Sequence, residues 1–355
     1  MTGGLLAAAA LAGGWIQERH EVSWDLAAIQ LPALETRVGA PAVTVAILDT
    51  GLSAQPQLNG VQRSGYDFIS DPRTAGDGGG RDPQAWASRG GVGYHGTAVA
   101  GLVHQVNPSA RLLHVRIIGR ADTATLADAL DGLRWAAGLP VPGVPANPFP
   151  ARVINASFKL KDVPYTGCAP AMQRAVDEVI AHGSVIVAAA GNSRAAAARY
   201  TPGGCRGVIT VAATGTQGRR APYSNWGAAV ALAAPGGTAT ERIDVLLPGG
   251  GEAERTGTSF AAPLVAGAAS LLVAEHPGLR PTEVSAILRH SARPFAGGQC
   301  DQLRARSCGA GVLDVRAALG LASGWAAATR PEHGRPLPAR PDARGRFDPQ
   351  GPGSS

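Results

Sequence analysis

The sequence predicts an α/β protein with a mostly parallel sheet and helices on both faces. Two observations carry this. Short β-branched or alanine-rich runs, of the kind that form buried strands, recur along the middle of the chain. Between them lie longer stretches with apolar residues at helical spacing. Strands separated by helices are joined by crossovers rather than hairpins, so they run parallel and the helices cover the sheet.

The expected strands are 43–48, 111–118, 153–158, 185–190, 208–213 and 229–233, and the expected helices between them 97–105, 123–139 and 169–182. In the last of these helices Ala171, Met172, Ala175, Val176, Val179 and Ile180 form one stripe. Gln173, Arg174, Asp177 and Glu178 face away from it. Thr258–Glu275 then reads as one long, apolar helix of small residues, stopped by Pro277-Gly278, and 282–290 as another after Pro281. The segments 71–93, rich in Gly and Asp, and 139–150, rich in Pro, are surface connections.

The ends differ from the middle. Leu5 to Ala12 is a short apolar run before Gly13-Gly14, too short to span a bilayer and without a preceding Lys or Arg. Residues 1–16 are therefore expected to be a truncated signal or leader, and 17–320 one domain. Pro, Arg, Gly and Ala dominate 321–355, which cannot bury enough apolar surface to offset its ordering entropy and is expected to be disordered.

The net charge of +6 is almost wholly arginine, since Lys159 and Lys161 are the only lysines. That charge is spread out, with arginines in the tail and no interleaved aromatics. It argues against a nucleic-acid surface, and no segment argues for a membrane span. Four cysteines contain no CxxC pair, so metal-site spacing is absent. Three disulfide pairings are open; Cys168–Cys205, two loops on one side of the sheet, and Cys300–Cys308, a short closed loop, are expected, and bridges would imply an oxidising compartment.

Three residues stand where chemistry can be built. Asp49 ends the 43–48 strand and Thr50-Gly51 turns the chain after it, at the edge where open α/β sheets form clefts. His95 opens the small-residue run His95-Gly96-Thr97-Ala98; the other seven histidines have no comparable setting. Ser259, in Gly257-Thr258-Ser259-Phe260-Ala261-Ala262-Pro263, begins a helix whose free amides favour developing negative charge. A serine hydroxyl needs a base to take its proton and a carboxylate to hold that base in one tautomer. Asn192, after Gly191, would be an amide donor to an oxyanion if it faces Ser259.

These motifs, in the chain order Asp, His, Ser, resemble the subtilisin-like serine peptidases, the subtilases. The resemblance runs from about Trp24 to Leu319 and includes Ala188-Ala189-Ala190-Gly191-Asn192, Tyr223-Ser224-Asn225-Trp226-Gly227 and Ala233-Ala234-Pro235-Gly236. It implies a subtilisin-like fold and a secreted, monomeric endopeptidase acting on polypeptides through an acyl-enzyme, with no cofactor. Asp49, His95 and Ser259 would form the triad and Asn192 the oxyanion donor. Two segments, Ser157, Phe158, Lys159, Leu160 and Ala188, Ala189, Ala190, Gly191, would hold the substrate as an extended strand.

This chain departs from the family pattern at several places. Ala98, Phe260 and Leu264 replace the usual His, Met and His. Lys159-Leu160 stands where Gly-Gly is common, which bears on the S1 side and on preference. Some twenty residues before Trp24 are too few for the family's usual prodomain. With Phe260 and Lys159, that motivates the alternative of a subtilase-fold binding protein without turnover; a cytosolic esterase or acyltransferase with the same triad would instead keep its cysteines reduced. Asp71, Asp77 and Asp82 are fewer oxygens than the six to eight Ca²⁺ takes, so structural Ca²⁺ is unsupported.

Overall fold

The computed structural model describes residues 22–33, 39, 41–88, 90, 92–120, 122–164, 166–303 and 306–328. The expected leader at 1–16 lies outside them. The elements in order are α1 (Trp24–Ala28), β1 (Thr44–Asp49), β2 (Gln62–Asp67), α2 (Pro72–Ala75), α3 (His95–Val106), β3 (Arg111–Arg116), α4 (Leu126–Ala136), β4 (Val153–Ala156), α5 (Pro170–Ala181), β5 (Val185–Ala189), β6 (Ile209–Thr214), β7 (Val230–Pro235), β8 (Ile243–Leu246), β9 (Glu252–Arg255), α6 (Thr258–Glu275), α7 (Pro281–His290) and α8 (Val315–Ala328). Seven strands form one parallel sheet in the order β2-β3-β1-β4-β5-β6-β7, and β8 and β9 make a separate antiparallel pair.

Alternation along each strand divides the core in two. Val45 and Ile47 of β1, Val153 of β4 and Val187 of β5 pack with α3 and α6 on one face. Ala46 and Leu48, Ile154 and Ala156, and Ile186 and Ala188 pack with α4 and α5 on the other. Both faces are buried, so the strands read as continuous apolar runs. In α5 the residues buried are Met172, Ala175, Val176 and Val179, the inner part of the expected stripe.

Helix α6 is apolar on every side and buried on almost every side, as a helix through the middle of a domain must be. Its length and composition would also suit a bilayer, but its surroundings here are protein. Disulfides join Cys168 to Cys205 and Cys300 to Cys308.

Besides the short α1 and α2 and the β8–β9 pair, none of which was expected, two elements of the main layers differ from expectation. The segment 321–355 is not wholly irregular: α8 runs to Ala328, with Ala318 and Ala322 fully packed and Leu319, Leu321 and Trp325 partly buried against the main core. Alanine buries little area but lets helices approach, so low bulk was misleading there. Residues 329–355 lie outside those described. β2 was not foreseen. Its sequence Gln-Arg-Ser-Gly-Tyr-Asp is polar because it is an edge strand, and its pairing with β3 shifts register between Ser64 and Asp67.

Candidate active site

The carboxyl ends of β1, β4 and β5 and the amino ends of α3 and α6 meet at one cleft. Asp49 is the last residue of β1 and fully buried. Its Oδ1 accepts from the Thr50 N–H at 2.7 Å, which fixes the carboxylate. The Thr50 hydroxyl accepts from the Gly96 N–H at 2.9 Å, tying the strand end to the first turn of α3. Gly96 permits this approach: a Cβ there would lie 2.7 Å from the Gly51 carbonyl oxygen.

His95 therefore reaches Asp49 directly. Its Nδ1 lies 2.8 Å from both carboxylate oxygens, and its side chain is 18% exposed. Burial pulls the imidazole pKa down, but the Asp49 charge and hydrogen bond outweigh it and raise it above the ordinary value. The ring is flanked by Phe260, with ring centres 5.6 Å apart, and by Tyr94 at 6.4 Å. By contrast His114, in β3, is fully buried, and burial pushes it down to about 4, so it is a neutral core residue.

Ser259 is half-buried at the second position of α6, where its N–H has no helical acceptor. Pro263 sits in the second turn of α6, four residues on, and so cannot donate to the Ser259 carbonyl. The Ser157 hydroxyl takes that role at 3.2 Å and is itself held by the Asn155 side-chain N–H at 3.0 Å. Proline at 263 thus frees a carbonyl by which Ser157, the residue after β4, grips the serine.

Asn192 is exposed in the cleft, and its orientation is set by Thr258. The Thr258 N–H and hydroxyl both donate to Asn192 Oδ1, at 3.0 and 2.7 Å, and the same hydroxyl accepts from the Gly191 N–H at 3.1 Å. With Oδ1 occupied, the Nδ2 amide is the end left to face a ligand. Asn225 shapes the loop beneath. It donates to the Ala190 carbonyl at 2.8 Å and accepts from the Ser193 and Ala195 N–H groups, each at 3.0 Å. A Cβ at Gly191, whose φ is +99°, would lie 2.5 Å from that amide.

His95, Ser157, Phe158, Lys159, Leu160, Ala189, Ala190, Gly191, Asn192 and Ser259 all line the cleft, together with Asp122, Tyr200 and Thr201. Ala188 does not. One residue earlier in β5, it points to the opposite face and is fully packed against the α4–α5 layer. Thr258, Asn225 and Asp122 were not foreseen as site residues, because contacts across 30 to 70 positions leave no local pattern.

The acidic loop resolves into an anchor. Asp67, Asp77 and Asp82 gather within 4.8 Å of one another. The fully buried Arg116 guanidinium, however, already contacts Asp67, Asp77 and the Ala75 carbonyl, and reaches the Ser88 hydroxyl at 2.7 Å. Asp71 instead caps α2 and pairs with Arg73. Arg116 is the partner of Asp49 in the β1–β3 register, so this network pins the loop beside the carboxylate.

Residues 40–311 match the model of the subtilase family. The chain is 36% identical to an extracellular protease of Xanthomonas campestris, over 81% of this chain and 53% of that one. It is 35% identical to an extracellular basic protease of Dichelobacter nodosus, over 79% and 51%, so it spans about half the length of these relatives. It is also 30% identical to subtilisin Savinase of Lederbergia lenta, over 77% of this chain and 92% of that one. A solved protease structure from Pseudoalteromonas arctica superposes with a TM-score of 0.72 at 34% identity, covering 83% of this chain and 94% of its own. A motif order, a seven-stranded parallel sheet and a cleft lined by histidine and serine, with an aspartate buried beside the histidine, thus agree with the matches: this chain belongs to the subtilase family.

Proposed function

We propose that this chain is a secreted serine endopeptidase that hydrolyses peptide bonds through an acyl-enzyme on Ser259. One observation carries the reading: His95 is held through Nδ1 by the buried Asp49 in the same cleft as Ser259 and Asn192. With Nδ1–H donating to the carboxylate, Nε2 is the basic nitrogen and takes the Ser259 proton as the oxygen attacks the carbonyl carbon. The oxyanion is received by the Asn192 Nδ2 amide and the Ser259 N–H. His95 then gives the proton to the leaving amine, and a water repeats the sequence to release the acid. Secretion is supported by the two disulfides and by relatives named extracellular proteases.

The test is labelling by a fluorophosphonate, followed by turnover of a casein or peptide substrate. Stoichiometric labelling that disappears in Ser259→Ala is expected. Folded protein that neither labels nor turns over would establish the binding-protein alternative instead. Asn192→Ala is expected to lower kcat about 10²- to 10³-fold with little change in KM, the size known for the equivalent donor in this family. A loss appearing only in KM would place Asn192 in ground-state binding.

A further inference from the structure

The loop that carries Asn192 is bent in a way its own sequence does not favour. Gly191 has φ +99° and Arg194 φ +53°. The left-handed region suits glycine but is costly for arginine, whose Cβ crowds the backbone there. Such residues persist only where their surroundings impose the conformation. Asn192 lies between the two, so whatever holds the bend also sets where its amide points.

Asn225 holds it. Its Oδ1 accepts from the N–H groups of Ser193 and Ala195, one on each side of Arg194, at 3.0 Å each. Its Nδ2 donates to the Ala190 carbonyl at 2.8 Å, and its own backbone N–H donates to the Gly191 carbonyl at 2.8 Å. The four bonds clasp the loop before and after Asn192. Asn225 itself is fully buried and does not line the cleft.

The clasp stands on fixed ground. The Ser224 hydroxyl accepts from the Ala213 N–H of β6 at 3.0 Å and donates to the Asn225 carbonyl at 3.0 Å. Arg220, paired with Asp301, donates to the Ser224 carbonyl at 2.6 Å. The Gly227 N–H donates to the Ser307 carbonyl at 2.7 Å, inside the loop that Cys300 and Cys308 close. The segment 224–227 is thus tied to the sheet on one side and to a disulfide loop on the other.

The structure assigns Asn225 as a positioning residue for the oxyanion donor, an inference that deepens the peptidase reading and rests on it. Thr258 determines which end of the Asn192 side chain faces the cleft, and Asn225 determines where the backbone carrying that side chain lies. A preorganised donor acts only when aimed at the place where charge develops, and a misplacement of about 1 Å can cost about 10²-fold. The signature is a loss in kcat that exists only while Asn192 is present.

The test is kcat and KM on one peptide p-nitroanilide, with kcat expressed per site titrated to completion by a fluorophosphonate, so that unfolded protein does not count. Asn225→Ala is expected to lower kcat about 10²-fold with KM nearly unchanged. In an Asn192→Ala background the same change is expected to cost less than about threefold, because no donor remains to be misplaced. Asn225→Asp, the milder variant should the alanine one fail to fold, keeps the acceptor for Ser193 and Ala195 but turns an oxygen toward the Ala190 carbonyl. The same dependence on Asn192 is expected for it, with a loss of about tenfold. A parental kcat per titrated site, a loss confined to KM, or a loss that multiplies in full with that of Asn192→Ala overturns the assignment and leaves the peptidase reading standing. A parent chain that neither labels nor turns over overturns that reading instead, and the assignment with it.

Discussion

Ser259→Ala is expected to lower kcat about a million-fold while KM stays within a few-fold, the size of loss known for this change in the subtilase family. The substitution leaves the architecture of the site in place. Ser157 grips the Ser259 carbonyl, not its hydroxyl, and the Thr258 clamp on Asn192 does not involve the serine side chain. On the proposed mechanism what disappears is the nucleophile alone, so the oxyanion donors should still give a residual rate about 10³- to 10⁴-fold above uncatalysed hydrolysis. His95→Ala is expected to cost about as much, and the double variant no more than either single one, because a base without a nucleophile has no proton to take. Single-turnover and steady-state kinetics on one peptide anilide check all three proteins. Losses that multiply in the double variant would show that the two residues act in separate steps, contrary to proton transfer between them.

The architecture was largely readable in the residues, because six strands of the sheet are short runs buried on both faces and the helices between them carry amphipathic spacing. The failures have physical causes. β2 escaped because an edge strand buries one face and pairs on one side, so Gln62, Arg63 and Ser64 need not be apolar. α8 escaped because composition was weighed over the stretch 321–355 as a whole, whereas Ala322 and Trp325 pack where the helix meets the core. Ala188 was assigned to the cleft from a motif read as one block, although the two-residue period of a strand sends alternate side chains to opposite faces.

His95, Ser259 and Asn192 line one cleft, with Asp49 buried beside His95, because each follows a strand end or opens a helix, which is where such folds gather their loops. The groups that orient them were not legible. Thr258, Asn225 and Arg116 act through contacts between distant segments, and a local pattern of residues cannot record which side chain a fold will bring beside it. Arg116 is the extreme case: a fully buried guanidinium is decided by the three-dimensional charge balance around it, here two carboxylates and a carbonyl.

Asp49→Asn is expected to lower kcat/KM about 10⁴-fold at neutral pH and to move the acid limb of its pH profile downward. The substitution preserves packing and can keep the Oδ1 acceptor that the Thr50 N–H uses at 2.7 Å. The amide that replaces Oδ2 is a donor, however, and facing Nδ1 it favours the tautomer with the proton on Nε2, the nitrogen that must be bare to accept from Ser259. The shift of the limb follows from the charge. In the parent protein Asp49 outweighs burial and holds the His95 pKa above the ordinary imidazole value, so activity, which needs neutral His95, falls away on the acid side from a pH above about 6.5. Without the carboxylate, burial acts with little opposition and favours the neutral ring, so the remaining activity persists to lower pH. A kcat/KM profile from pH 4 to 10 on both proteins reads the two effects together. A large loss with an unmoved acid limb would mean that Asp49 supports the fold of the cleft without acting on the charge of His95.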